Sequence, residues 1–468
     1  MEPLATAHDT AGRVRRREIS AREAAQDALK RIEAANPALN AFIHVDPETA
    51  LRQADAVDAA IARGIDPGPL AGVPVGVKDM EPVAGMPLTF GSRAFAHNVA
   101  DHDSVQVARL KNAGAVVMGK TNTPEFAYKG FTANRLFGAT RNPWNPERTP
   151  GGSSGGSTAA VAAGMVALCT AGDGGGSIRV PAAFSGCYGI KPSAGRIPRA
   201  GANAPTWSTH GTLGPVSRTV RDAARYLDIC AGPHPNDLDA LDAPPGAYEA
   251  ATLAPAPRLK RIAWSADLGF APVDPEVRRI AGEAGRALAE AVGAELVEAN
   301  PGFADPIDTW FTIAAPGDAR AVAAMTEEQR ALLERGFLAW ADQATRITAV
   351  MLAEALEARH QLNRAMTAFF QTYDLLLTPT VPCTAFLAGG PPPTEIDGQA
   401  VTPAGFVAFT SPFNTTGHPA ASLPAGLASD GLPVGLQVVA PRHADALVLA
   451  ASAAYEAARP WRWPGDGS

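Results

Sequence analysis

Polar and apolar positions alternate along the first 120 residues with two different periods. In "SAREAAQDALKRIEAANPALNAF", apolar residues recur at three- and four-residue intervals, and Ser20 and Glu23 stand at capping-box spacing. The pattern predicts a helix that begins after Ser20 and is closed by Asn36-Pro37. "GVPVGVKDM" (72–80) alternates small and β-branched residues, the pattern of a buried strand ending in the charged pair Lys78–Asp79. "DSVQVARLKNAG" predicts a helix with a glycine stop, and "AVVMGK" a second buried strand. Helix–strand alternation of this kind predicts an α/β protein with a mostly parallel or mixed sheet.

Further along, 132–150 carries Pro143, Pro146 and Pro150 and predicts an irregular loop. "STAAVAAGMVALC" predicts a helix of small residues, and "GPVSRTVRDAARYLDICAG" (214–232) another. A Pro/Asp-rich stretch spans 233–257. It is followed by a strand "RIAWSAD", a long amphipathic helix from "DPEVRRIAGEAG", and a mainly helical region over 300–372. "YDLLLTPTVP" predicts a strand, and the tail "GHPAASLPAGLASDGLPVGLQVVAP" two more. No internal repeat or disordered linker is visible, so 1–468 is expected to be one domain.

The composition narrows the choice of partners. Of 468 residues, 46% are hydrophobic and 19% charged, which allows a large core. A net charge of −7, with no basic block beyond "RVRRR" at 13–17, argues against nucleic acid as the main partner. No apolar signal core and no membrane-length run are seen, so a cytoplasmic protein without a membrane partner is expected. Cys169, Cys187, Cys230 and Cys383 lack CxxC spacing, and neither a disulfide framework nor a metal site is expected.

Two motif matches lead away from the chemistry. Gly114 to Thr121 satisfies the Walker A pattern, the basis of an alternative nucleotide-binding reading. Its intervening residues are an apolar strand, however, and Pro124 blocks an immediate helix, so Lys120 is expected to be structural or near a pocket rim. "GGSSG" (151–155) satisfies the nucleophile-elbow pattern, but the proline-rich "NPWNPERTP" before it cannot be a central strand.

A better nucleophile lies in "AGDGGGSIRVPAAFSG". Three glycines precede Ser177, and their unobstructed amides suit an oxyanion nest beside the attacking hydroxyl. No histidine sits in a compelling context. Lys78, at the end of a buried strand, would lose hydration and titrate lower, as a base must. A buried ion pair of Lys78 with Asp79 or Asp173 accounts for the same residue equally well.

At this point the chain resembles the amidase signature family. The resemblance rests on "GVPVGVKDM", "GAVVMGKTNTPEFA", "NPWNPERTPGGSSGGSTAAVAAG", "GDGGGSIRVPAAFSGCYGIKPS", "GPVSRTVRDAA", "DLLLTPT" and "GHPAASLPAG…GLPVGLQVVAP", in that order. It implies the amidase signature fold, a central mixed β-sheet flanked by helices on both faces. It also implies a Ser–cis-Ser–Lys triad: Ser177 as nucleophile, Ser153 behind a cis peptide, and Lys78 as base. Ser154 would support the network, Asp173 and Arg179 would brace the loop, and the amides of Gly174, Gly175, Gly176 and Ser177 would form the oxyanion hole. Gly174 departs from the Thr or Ile that many members carry there.

The resemblance implies a cofactor-free, metal-free acyl transfer through an acyl-enzyme on a small amide, and by the same carbonyl chemistry on esters or carbamates, as in aryl acylamidases and urethanases. Ala127, Tyr128, Phe131, Trp207, Trp310 and Phe413 are candidates for an apolar or aryl substrate pocket, with core packing as the other reading of each aromatic. The segment 233–345 resembles nothing specific and is expected to carry selectivity. Rival readings are the glutamine-hydrolysing component of a tRNA-dependent amidotransferase and an inactive binding module. A monomer or homodimer is expected.

Overall fold

A computed structural model describes residues 4–201, 207–243 and 246–465 of the chain. Eleven strands form one sheet: β1 (Phe42–Val45), β2 (Pro74–Lys78), β3 (Val116–Thr121), β4 (Leu168–Asp173), β5 (Tyr188–Lys191), β6 (Thr212–Ser217), β7 (Arg261–Trp264), β8 (Glu295–Glu298), β9 (Leu375–Pro379), β10 (Ala420–Leu427) and β11 (Pro433–Val439). Their spatial order is β1-β3-β2-β4-β6-β5-β10-β11-β9-β7-β8. The sheet is mixed: β3, β2 and β4 run parallel, as do β9, β7 and β8, while β6, β5, β10 and β11 pair antiparallel.

Both faces are covered, and the strand sequences show why. Side chains alternate across a strand. Val117 and Leu168 belong to one core cluster, whereas their neighbours Val116, Met118, Cys169 and Ala171 belong to another on the opposite face. The helices that matter here are α1 (Ala21–Leu39), α2 (Gly155–Ala162), α3 (Arg179–Ser185), α4 (Val220–Cys230), α5 (Pro275–Val292), α6 (Ile307–Ala314), α7 (Pro316–Ala323) and α8 (Arg335–Ala344). The amphipathic α5 packs on β9, β10 and β11.

Several boundaries differ from those expected. The Ser20–Glu23 capping box is present, but α1 continues through Pro37 to Leu39 and ends at Asn40 in the left-handed region. A proline removes only its own N–H, and the Asn40 amide still reaches the Asn36 carbonyl (2.7 Å). The helix expected to run through Cys169 stops at Ala162. Gly164, at φ +68°, turns the chain into strand β4. The helix expected over 214–232 begins only at Val220, where the Thr219 hydroxyl accepts from the Asp222 amide; Thr212–Ser217 is strand β6. A short helix, Ala247–Leu253, lies within the Pro/Asp-rich 233–257 stretch, of which residues 244 and 245 lie outside the described residues.

The Walker-like segment is strand β3. Buried Lys120 donates to the carbonyls of Glu81 (2.6 Å) and Pro87 (3.1 Å) and pairs with Asp79 at 3.4 Å. It is committed to holding the 79–87 turn. No helix among the described residues is long and apolar enough to cross a membrane.

Candidate active site

Strands β2 and β4 are parallel neighbours, so the residues at their C-terminal ends, Lys78 and Asp173, emerge on the same edge of the sheet. The Gly-rich turn before α2 enters between them. Gly151, at φ +84°, leaves no room for a side chain, since a Cβ there would lie 2.7 Å from Pro181 Cα. The following Gly152–Ser153 peptide is cis.

This packing delivers two hydroxyls to one amine. Lys78 Nζ lies 2.7 Å from Ser153 Oγ and 2.9 Å from Ser154 Oγ. Lys78 is 2% exposed and both serines are fully buried. The ion-pair alternative does not hold: Asp79 is taken by Lys120, and Asp173 by Arg179. Burial, uncompensated by a carboxylate in contact, lowers the Lys78 amine to about 7. Ser154 also donates to the Gly172 carbonyl at 3.2 Å, so toward Lys78 its oxygen is an acceptor. That arrangement leaves the lone pair of a neutral Lys78 for the Ser153 proton.

Ser177 is the exposed end of the constellation. Its backbone carbonyl accepts from the Ser154 amide at 3.2 Å, which joins the two Gly-rich turns. Its side chain lines two cavities, of about 390 and 310 Å3. Lys78 and Ser153 line the larger, together with Glu81, His102 and Arg199.

The loop before Ser177 is held one peptide at a time. The Asp173 carbonyl accepts from Asn414 Nδ2 (3.0 Å), that of Gly174 from Trp310 Nε1 (2.7 Å), that of Gly175 from Thr410 Oγ1 (2.6 Å), and that of Gly176 from the Val180 amide (2.7 Å). A planar trans peptide points its N–H opposite its C=O, so each bond also aims the next amide. The expected oxyanion hole loses one member: the Gly176 N–H donates to Asp173 Oδ1 at 2.8 Å, so only the amides of Gly174, Gly175 and Ser177 stay candidates.

Asp173 and Arg179 form a buried bidentate pair, with Nε–Oδ2 at 3.0 Å and Nη2–Oδ1 at 2.9 Å. The guanidinium also donates to Gln437 (2.8 Å) and Asn414 (2.7 Å). Burial alone would raise the Asp173 carboxyl, but the adjacent Arg179 charge and its hydrogen bonds bring it down to about 2. Removing one partner strands a buried charge. Asp173→Asn is expected to lower stability by about 3–5 kcal/mol, read as a shift in the urea midpoint at unchanged slope.

Of the pocket candidates, Ala127 and Trp207 line both cavities, and Tyr128, Phe131 and Trp310 line the smaller one. Phe413 does not belong with them. It is fully buried in the main core and lines neither cavity, because its short helix, Ser411–Thr415, turns that ring inward. Trp340 and Phe406 complete the aromatic wall and were not among the candidates. Trp340 sits in the ordinary periodicity of α8, and nothing local marks it.

Comparison with known proteins agrees with this architecture. The family model described as Amidase matches residues 23–449. The chain is 38% identical to an acylamidase of Rhodococcus erythropolis, over 97% of this chain and 96% of that one. It is 39% identical to a glutamyl-tRNA(Gln) amidotransferase subunit from Synechococcus sp. (strain RCC307), over 94% of each. Among solved structures, a bacterial aryl acylamidase of the amidase signature enzymes superposes with a TM-score of 0.92 at 33% identity, covering 98% of this chain and 97% of that one. With matches that span nearly its whole length, the chain belongs to the amidase signature family and is a hydrolase of carbon–nitrogen amide bonds.

Proposed function

We propose that the protein is a stand-alone amidase acting on small apolar or aryl amides, with Ser177 as nucleophile and the Ser153–Lys78 pair as its proton acceptor. The observation that carries this reading is the 2.7 Å contact between buried Ser153 and a lysine whose amine titrates near 7. Neutral Lys78 takes the Ser153 proton while Ser153 takes that of Ser177, and Ser177 Oγ attacks the carbonyl carbon. The developing oxyanion is met by the free amides of the 174–177 loop. The proton then returns through Ser153 to the departing amine nitrogen, the C–N bond breaks, and water hydrolyses the ester left on Ser177. Esters and carbamates present the same carbonyl to the same groups.

The ring-lined cavity supports an apolar or aryl group over the charged head of glutamine, and its lysine, Lys129, is already paired with Glu334 at 2.7 Å. Trp310 and Trp340 come from the 233–345 region, which is the basis for assigning selectivity to it. The test is a panel of purified-protein assays on p-nitroanilides, aryl amides, primary amides, aryl carbamates and glutamine. Turnover of the anilides by the protein alone is the expected result. Turnover of glutamine only, and only with added partner subunits, would overturn the stand-alone reading.

Trp310 ties this wall to the chemistry through its bond to the Gly174 carbonyl. Trp310→Phe keeps a ring and removes the N–H. A lost hydrogen bond of about 1 kcal/mol predicts a roughly fivefold fall in kcat with KM little changed. A purely packing role for Trp310 would leave kcat unchanged.

A further inference from the structure

Two cavities meet at Ser177, and the proton path distinguishes them. The leaving amine must receive its proton from Ser153, which lines only the larger cavity, as does Lys78. The amine therefore departs on that side. The acyl group occupies the other, walled by Tyr128, Phe131, Trp310, Trp340 and Phe406. Trp207 borders both and stands as the partition between them.

The placement of that partition has two causes in the structure. The first is Gly174: a Cβ at this position would lie 2.4 Å from Trp207 Cε3, so the missing side chain is the space the indole fills. The second is Asp318 on α7. Its carboxyl is 2% exposed and has no cationic partner among the described residues, although buried carboxylates ordinarily require one. It accepts instead from an indole: Trp340 Nε1 lies 2.9 Å from Oδ2, and the Trp207 ring stands against that of Trp340. The Trp340 and Trp207 rings are nearly parallel, 5.9 Å apart at 16°, and Trp310 meets Trp207 edge-on at 5.4 Å and 68°.

We propose that Asp318 is a positioning residue for acyl selectivity: by holding the Trp340 indole, against which the Trp207 ring over Gly174 stacks, it sets the breadth of the acyl cavity while lying outside it. The aromatic lining of that cavity suits a planar aryl or short acyl group. This inference rests on the amidase reading above.

The experiment compares wild type with Asp318→Ala, Trp340→Phe and Trp207→Phe on two substrate series. One holds the p-nitroaniline leaving group and varies the acyl group through acetyl, butyryl, benzoyl and 2-naphthoyl. The other holds the acyl group and varies the amine. Asp318→Ala is expected to change the acyl ranking by roughly tenfold through KM, leaving the amine ranking unmoved. The two Phe variants, one losing the N–H that Asp318 holds and the other trimming the ring stacked on that indole, should shift it in the same direction by less. They remain informative if Asp318→Ala fails to fold. A uniform loss across both series, or a change confined to the amine series, overturns the proposal.

Quenching of tryptophan fluorescence by free benzoate reads the same cavity without turnover. If wild type hydrolyses neither series, the amidase reading of these substrates fails. Benzoate affinity then decides the inference: weakened in all three variants upholds it, unchanged in all three sinks it.

Discussion

Ser177→Ala is expected to lower kcat/KM on an aryl anilide by ~10^4- to 10^6-fold, with the fold and thermal midpoint retained. The magnitude follows from the arrangement. Ser177 is the hydroxyl that opens on both cavities, while Ser153 and Ser154 are fully buried and committed to Lys78. Mass spectrometry of wild type quenched during turnover of a slow ester should find the acyl mass on the peptide that carries Ser177. Full activity in the alanine variant, or an acyl group found on Ser153, would place the covalent step elsewhere.

Lys78→Ala is expected to cost ~10^2- to 10^4-fold in kcat, the usual contribution of a general base. The pH dependence gives a sharper test. The amine must be neutral to accept a proton, and burial lowers it to about 7. Activity should therefore rise with pH through about 7 and level off above it, falling about tenfold for each unit below. An unshifted lysine would place that rise near 10.5. Two buried histidines do not supply the same profile: His210 and His418 are held near 3, far below the rise. A flat profile between pH 6 and 8, or full rate at neutral pH in Lys78→Ala, would remove Lys78 from the mechanism.

Local signals made much of the site legible. Glycines cluster where the backbone bends or another chain segment comes close, so the turns carrying Ser153 and Ser177 announce themselves. Lys78 stands out as a charge at the end of an apolar strand. What stayed hidden depends on distant partners. Leu168–Asp173 contains small residues and a single β-branched one, Thr170, so its strand character comes from pairing with β2 and β6. The Gly176 amide counts toward an oxyanion hole in any local reading, until the fold turns the Asp173 carboxylate onto it. Trp340 and Asp318 belong to helices whose periodicity is satisfied without them. Their meeting with Trp207, more than 100 positions earlier in the chain, is created by tertiary packing alone. Phe413 illustrates the converse, an aromatic near the right motif whose ring the fold keeps for the core.

Part of the acyl wall comes from a different part of the chain than the proton path. Lys78, Ser153 and Ser177 lie in the first 180 residues, on strands β2 and β4 and the turns beside them. Trp310, Asp318 and Trp340 lie on α6, α7 and α8, a block inserted between β8 and β9. Such an insertion can change in sequence, or be exchanged between relatives, without disturbing the sheet edge that carries the amine. The contacts that tie this block to the rest of the site include the Trp310 indole on the Gly174 carbonyl, the Lys129–Glu334 pair and the Trp207–Trp340 stack. A block that kept those contacts while changing its other rings would alter which acyl groups fit without moving the groups that carry the proton.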